Sequence, residues 1–211
     1  MHDYTIRNIS KQKANFLISA LSVLVTPVLI KLLKTIMSIW PQLEKIYNQF
    51  EILGLSISAL LSFTILWNLF SKVLWKLLYK IKIIQIPNLS GYWDCSGEGK
   101  KYSDKNEKNN WFGEIQILQE YEKISIKLTT SESKSHSYSL VGDIEIRDKN
   151  EIVLSYMYEN EPFKTEEGLK QHKGFCRLIF NLSNNTANGH YYTDNDRSSY
   201  GTMRLIKREG K

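Results

Sequence analysis

Cysteine, histidine and proline are scarce in this chain. Its 211 residues hold two cysteines, four histidines and four prolines. There is no C-x-x-C, and no pair of histidines stands at H-E-x-x-H spacing, so no zinc or other metal centre is expected. A G-x-S-x-G elbow and a Walker A loop are also missing. Gly97-x-Gly99 lacks the rest of a dinucleotide fingerprint and reads as a strand end or bulge. Asp194-x-Asp196 starts like a calcium loop but places Ser199 where the sixth-position glycine belongs, so it reads as a tight turn. An enzyme is disfavoured. Its remaining form would be one acting on lipid head groups, with His190 beside Asp94 or Asp194.

Charge is unevenly placed. Residues 1–88 carry ten of the 28 Lys and Arg against three of the 22 acids, while residues 89–211 hold 18 basic and 19 acidic groups. A domain that binds DNA or RNA polymers concentrates cations where it meets phosphate. Here the excess sits beside hydrophobic runs instead, which is a membrane signal.

Two uncharged runs stand in that basic half, Ala14–Ile30 and Ile52–Phe70. At ~1.5 Å per residue they reach roughly 26 and 28 Å, against a hydrocarbon core of ~30 Å. Lys31 and Lys34 can snorkel and so lengthen the first, Pro27 is placed to kink it, and Trp40, Trp67 and Trp75 fall near the ends. The alternatives are a cleaved signal peptide for the first run and a buried soluble helix pair for both; the first lacks an A-x-A site and the second a polar stripe. Arg7, Lys11 and Lys13 precede the first span and Lys72, Lys76, Lys80 and Lys82 follow the second, so both termini are expected in the cytoplasm. Gly54, Ser58 and Ser62 form a small-residue stripe for helix packing, within one chain or between chains. Lys72, Lys76 and Lys80 recur every fourth residue and read as a basic neck at the lipid surface.

After Pro87 the period changes from 3.6 to 2. Strands are expected at 89–99, 111–121, 123–130, 136–147, 151–159, 174–182, 189–193 and 202–208. Charged loops separate some of them at 100–110 and 162–173. Eight short strands without a convincing helix argue for a compact eight-stranded up-and-down β-barrel, with a two-sheet sandwich as the alternative. The expected division is a two-helix transmembrane region with its neck at 1–86 and a cytoplasmic ligand-binding barrel at 87–211. Cys95 and Cys176 fall in strands and read as reduced core residues.

The barrel half contains Trp93, Trp111, Tyr156, Tyr158, Tyr191 and Tyr192, and few arginines, among them Arg177, Arg197 and Arg204. Aromatic faces stack on nucleobases and Arg forks suit phosphate. Arg197 also precedes Ser198 and Ser199, two further donors. The plainer reading is that the aromatics are barrel core and rim.

Two spans, then Pro87-x-x-x-Gly91-x-Trp93, then Gly189-His190-Tyr191-Tyr192-Thr193-Asp194, Arg197 and Gly201-Thr202-Met203-Arg204-Leu205 are the features of a family. The chain resembles the two-transmembrane, β-strand-rich effectors associated with CD-NTases in bacterial CBASS antiphage systems. That resemblance implies a barrel binding a cyclic dinucleotide made by a partner CD-NTase synthase. It also implies self-association of the spans in the lipid bilayer of the inner membrane, membrane disruption and death of the infected cell. No cofactor beyond the activating ligand is implied. In such a receptor Trp93, Tyr192 and Trp111 or Tyr156 would stack on bases, and Arg197, Arg177 and Arg204 would neutralise phosphate. A tethered barrel binding a lipid or apolar metabolite is the competing class; it requires an aliphatic lumen without convergent arginines.

Overall fold

In this computed structural model the chain divides into two units, Met1–Ile9 with Gln85–Lys211, and Ser10–Ile84. The structure describes residues 1–7, 9–37, 39, 51–103, 108–132, 135–161, 171–194 and 198–208. Arg197 and Trp40 lie outside the described residues, and Gly54 lies where only the helical backbone is described.

The helical unit contains α1 (Gln12–Met37), α2 (Glu51–Leu69), a π-helical turn (Phe70–Leu74) and α3 (Trp75–Lys80). Apart from buried Ile18, Phe70 and Trp75, many of its large apolar side chains face outward: Phe16 is 73% exposed, Leu24 74% and Val28 69%. Its buried seam is small and polar, made of Ser22 and Thr26 on α1 and Ser58 and Ser62 on α2. Thr26 Oγ1 lies 3.3 Å from Ser62 Oγ across the seam. A soluble pair would bury the aliphatics and expose the hydroxyls; the arrangement here is the reverse, and small residues let the two backbones approach closely. Ser58 and Ser62 therefore pack within the chain. Both helical segments, Gln12–Ile36 and Ser58–Lys80, are long and apolar enough to cross a membrane.

Among the described residues the other unit is a nine-stranded sheet. Its strands are β1 (His2–Ile6), β2 (Gly91–Lys101), β3 (Lys108–Gln119), β4 (Lys123–Thr130), β5 (His136–Ile146), β6 (Glu151–Glu161), β7 (His172–Asn181), β8 (Thr186–Thr193) and β9 (Ser199–Lys207). Strands β2 to β9 pair antiparallel with their sequence neighbours, β2 also pairs with β9, and the hydrogen-bonded order closes on itself. That closure removes the exposed edges a sandwich would keep.

The strand count differs from eight because of β1. β4 and β5 pair directly only at Lys127–Tyr138, Leu128–Ser137 and Thr129–His136. Past the irregularity at Ser139/Val141 they separate, and β1 fills the gap, antiparallel to β4 and parallel to β5. Ser139 Oγ holds the fork, accepting the Ile126 N–H at 2.9 Å and lying 2.7 Å from His2 Nε2. Residues 1–9 thus belong to the sheet unit, although sequence reading places them with the spans.

One end of the cylinder is packed solid. Ile115, Ile117, Ile124, Ile144, Leu154, Leu178, Phe180 and Leu205 are at most 1% exposed; each such side chain contributes about 1.5–3 kcal/mol by leaving water. At that end Gln119 joins three segments. Its Oε1 accepts the Leu89 N–H at 2.8 Å, and its Nε2 donates to Tyr4 Oη and Pro87 O, both at 3.0 Å.

Candidate ligand-binding site

The opposite end is hollow, because the inward-facing residues there change from aliphatic to aromatic and polar. Along β6 the inward set runs Ile152, Leu154, Tyr156, Tyr158, Asn160, and along β8 it runs Ala187, Gly189, Tyr191, Thr193. These series end in a cavity of about 460 Å³, within the roughly 300–1,000 Å³ of small-molecule sites.

Its floor is Ile126, Leu128, Cys176 and Met203. One wall is Trp111 and Tyr191, edge to face at 5.9 Å, with Trp111 Nε1 donating to Tyr191 Oη at 3.1 Å. Facing residues include Tyr156, Tyr158 and His172, the last two edge to face at 6.4 Å. Asn160 is fixed in place, its Nδ2 donating to Ser137 Oγ at 2.9 Å and to His136 O at 3.3 Å. Thr193 Oγ1 accepts the Ser199 N–H at 2.8 Å, closing the turn between β8 and β9 at the mouth.

Lys100, Lys101 and Lys108 stand at the mouth, with Glu132 among the lining residues. Glu98 on the outer surface pairs with Lys108 at 3.2 Å and Lys100 at 3.6 Å. The hydrogen bond from Lys108 is the main cause holding the Glu98 carboxyl below its usual range. Deeper in, burial keeps the Tyr156 phenol well above the ordinary tyrosine range and pushes the Cys176 thiol up to about 12. Both stay neutral near pH 7, so Cys176 presents no thiolate nucleophile. The arrangement suits a ligand with flat rings and negative charge: aromatic faces and neutral hydroxyls inside, cations at the opening.

Sequence-nominated residues divide by strand parity. Trp111 and Tyr156 line the cavity. Trp93 also points inward, but at the solid end. It is 1% exposed, enclosed by Phe180 at 4.9 Å and the Lys207 ammonium at 5.4 Å, with Nε1 donating to Leu89 O. No ring could stack on it without unpacking the core. Tyr192 faces out, 48% exposed and stacked on Phe175, because it alternates with inward Tyr191. Arg177 faces out beside Glu145 at 3.7 Å, between inward Cys176 and Leu178. Arg204 is exposed on the outer face between inward Met203 and Leu205. Among the described residues no arginine lines the cavity. The enzyme pairing is not assembled either: His190 is exposed on the outer face, Asp94 is bound by Arg208, and Asp194 accepts the Lys173 N–H.

Sequence reasoning passed over Tyr158, Tyr191, Asn160, His172 and the three lysines as site residues. A signal existed for most of them. Counting in twos from Leu154 reaches Tyr156, Tyr158 and Asn160, and counting from Ala187 reaches Tyr191 and Thr193.

Comparison with known proteins bears on this cavity. Residues 84–207 match the family described as Cap15, cyclic dinucleotide receptor domain. The chain is also 37% identical over 145 residues to CD-NTase-associated protein 15 of Yersinia aleksiciae; the match covers 68% of this chain and 66% of that protein, just under two thirds of its length.

Proposed function

This chain belongs to the Cap15 cyclic dinucleotide receptor family, and we propose that the hollow end of its barrel takes a cyclic dinucleotide in a CBASS antiphage system. The bases stack on Trp111, Tyr156, Tyr158 and Tyr191, and Lys100, Lys101 and Lys108 meet the phosphates. Arg197 joins them as a phosphate ligand; Thr193 and Ser199, which stand on either side of it in the sequence, both line the cavity. The observation that carries the reading is a cavity with stacking surfaces inside and cations at its mouth, at one end of a cylinder whose other end is solid.

Two crossings of the bacterial inner membrane by α1 and α2 complete the device. A sheet strand precedes α1 and the rest of the sheet follows α3. Both flanks of the helical unit therefore lie on one side, in keeping with an even number of crossings. The lysines after the second span put that side in the cytoplasm. Ligand shifts the chain toward self-association by favouring the assembled state. Confinement to a plane raises the effective concentration for that step. Clustered helices then breach the membrane and the infected cell dies. A partner CD-NTase synthase supplies the ligand.

The test is a thermal-shift screen of the full chain in detergent against cyclic dinucleotides, with a linear dinucleotide and a fatty acid as comparison arms. At a hundred times Kd a ligand adds about 2.7 kcal/mol, a clear rise in Tm. The same chain in dye-loaded liposomes should release dye on adding the active compound. No shift with any cyclic dinucleotide overturns the reading. A shift with the fatty acid alone supports an apolar ligand, a reading that the outward arginines and the aliphatic floor favour and the polar lining does not.

A further inference from the structure

We propose that Gly97 and Gly99 are positioning residues for the ligand. Their missing side chains seat the Trp111–Tyr191 pair against the barrel wall and keep the lumen open. Both face inward, in phase with Trp93 and Cys95. Gly97 stands directly across from Trp111 in the register, and Gly99 lies across from Gly201.

Four other inward glycines of the barrel stand against backbone. At Gly113, Gly174, Gly189 and Gly201 an added Cβ would lie 2.2–2.6 Å from a backbone carbonyl oxygen of a neighbouring strand, so close strand approach demands glycine there. Gly97 and Gly99 differ. The three atoms nearest a Cβ on Gly97 would all belong to the Trp111 indole, Cε2 and Cζ2 at 2.3 Å and Nε1 at 2.7 Å. One on Gly99 would meet Tyr191 Oη at 2.8 Å, with the next atom, Asn109 O, at a comfortable 3.7 Å. Neither position has positive φ; Gly91 is the described glycine that does. The backbone φ therefore admits alanine at both, and the nearest atoms it would displace belong to the aromatic rings of the ligand wall.

The direction of displacement follows. Behind the indole is the sheet and before it is the lumen. Relieving a 2.3 Å approach to ordinary carbon contact moves the ring inward by about 1 Å or more. Trp111 Nε1 is held by Tyr191 Oη, so the two rings form one surface and a shift of either disturbs both. The Gly-x-Gly is thus a seat for a flat stacking surface, and its spacing of two places both glycines on the same face of β2.

This inference rests on the ligand reading above, so the experiment includes an arm that needs no ligand. The full chain is labelled with 5-fluorotryptophan, and the Trp111 ¹⁹F resonance is identified by its loss in Trp111→Phe. Gly97→Ala should move that resonance in the absence of ligand, while outward Ser96→Ala should not. Titrated with the cyclic dinucleotide that shifts wild type most, Gly97→Ala should bind roughly tenfold or more weakly at similar Tm. Gly99→Ala should also bind more weakly than wild type at similar Tm. An unmoved resonance or wild-type affinity in both alanine variants overturns the proposal. A wild-type chain that takes no cyclic dinucleotide defeats the functional reading, and the ¹⁹F arm still decides the seat.

Discussion

Trp111→Ala tests the inside of the cavity against the outside of the barrel. Trp111 is half-buried at the rim, touching Tyr191 and facing the lumen. Its removal should cost the fold less than the ~3–5 kcal/mol of a fully buried aromatic. A base stacked on an aromatic ring is worth about 1–3 kcal/mol by alanine substitution, and 1.4 kcal/mol is about tenfold in affinity. Kd for a cyclic dinucleotide should therefore rise roughly 5- to 150-fold. Tyr192→Ala is the paired control, one residue from Tyr191 but on the outer face. It removes a stacked ring at 5.3 Å from Phe175, worth about 0.5–1.5 kcal/mol beyond its area, so it should lower Tm and leave Kd unchanged. Calorimetric titration of the full chain in detergent measures both constants. If Tyr192→Ala weakens binding more than Trp111→Ala, the inward–outward assignment of the site is wrong.

Lys108→Ala should weaken ligand binding, and the deficit should shrink at high salt because the mouth is exposed to screening ions; a salt-independent deficit would argue against a phosphate contact. Gln119→Leu leaves the Leu89 N–H and the Pro87 carbonyl without their partner, so urea unfolding should show a loss of about 3 kcal/mol, and a change under 1 kcal/mol would refute the role of that junction. Burial raises Cys95 and Cys176 from 9.0 to about 12 in the folded chain. The unfolded thiols ionise first, so stability is fully present below pH 9 and falls as pH rises from there toward 12, by on the order of 1 kcal/mol per thiol at pH 10. Iodoacetamide at pH 8 should modify neither thiol until the barrel is unfolded; rapid labelling of the native chain would contradict their burial.

The eight strands after Pro87 were legible to within a few residues because each carries its own period-two record of an apolar inside. β1 was not. His2–Ile6 is five residues long, and its partners, Ile124 and Gly142, lie far along the chain. Tyr4 and Ile6 alternate, but so short a segment gains its place only from the gap between β4 and β5. The placing of some nominated site residues outside the cavity has a different origin. Choosing Tyr192, Arg177 and Arg204 weighed side-chain chemistry and neglected parity, which the sequence does carry. Trp93 has inward parity and still lies outside the cavity, because parity tells inside from outside and not which end of the cylinder is filled.

From composition and order alone come two apolar helices flanked by lysines, a following antiparallel sheet, and the inward set of each regular strand. These are local properties, written in runs and periods that a residue and its near neighbours complete. The tertiary structure alone decided the insertion of β1, the turning inward of the Ser58–Ser62 seam against Thr26, and the assembly of one chamber from Trp111, Tyr158, Tyr191 and the lysines at its mouth. Those depend on register between strands distant in sequence, and on the Ser139/Val141 irregularity that re-phases β5 midway. A single shift of that kind reverses which side chains see the lumen, and no count along one strand contains it.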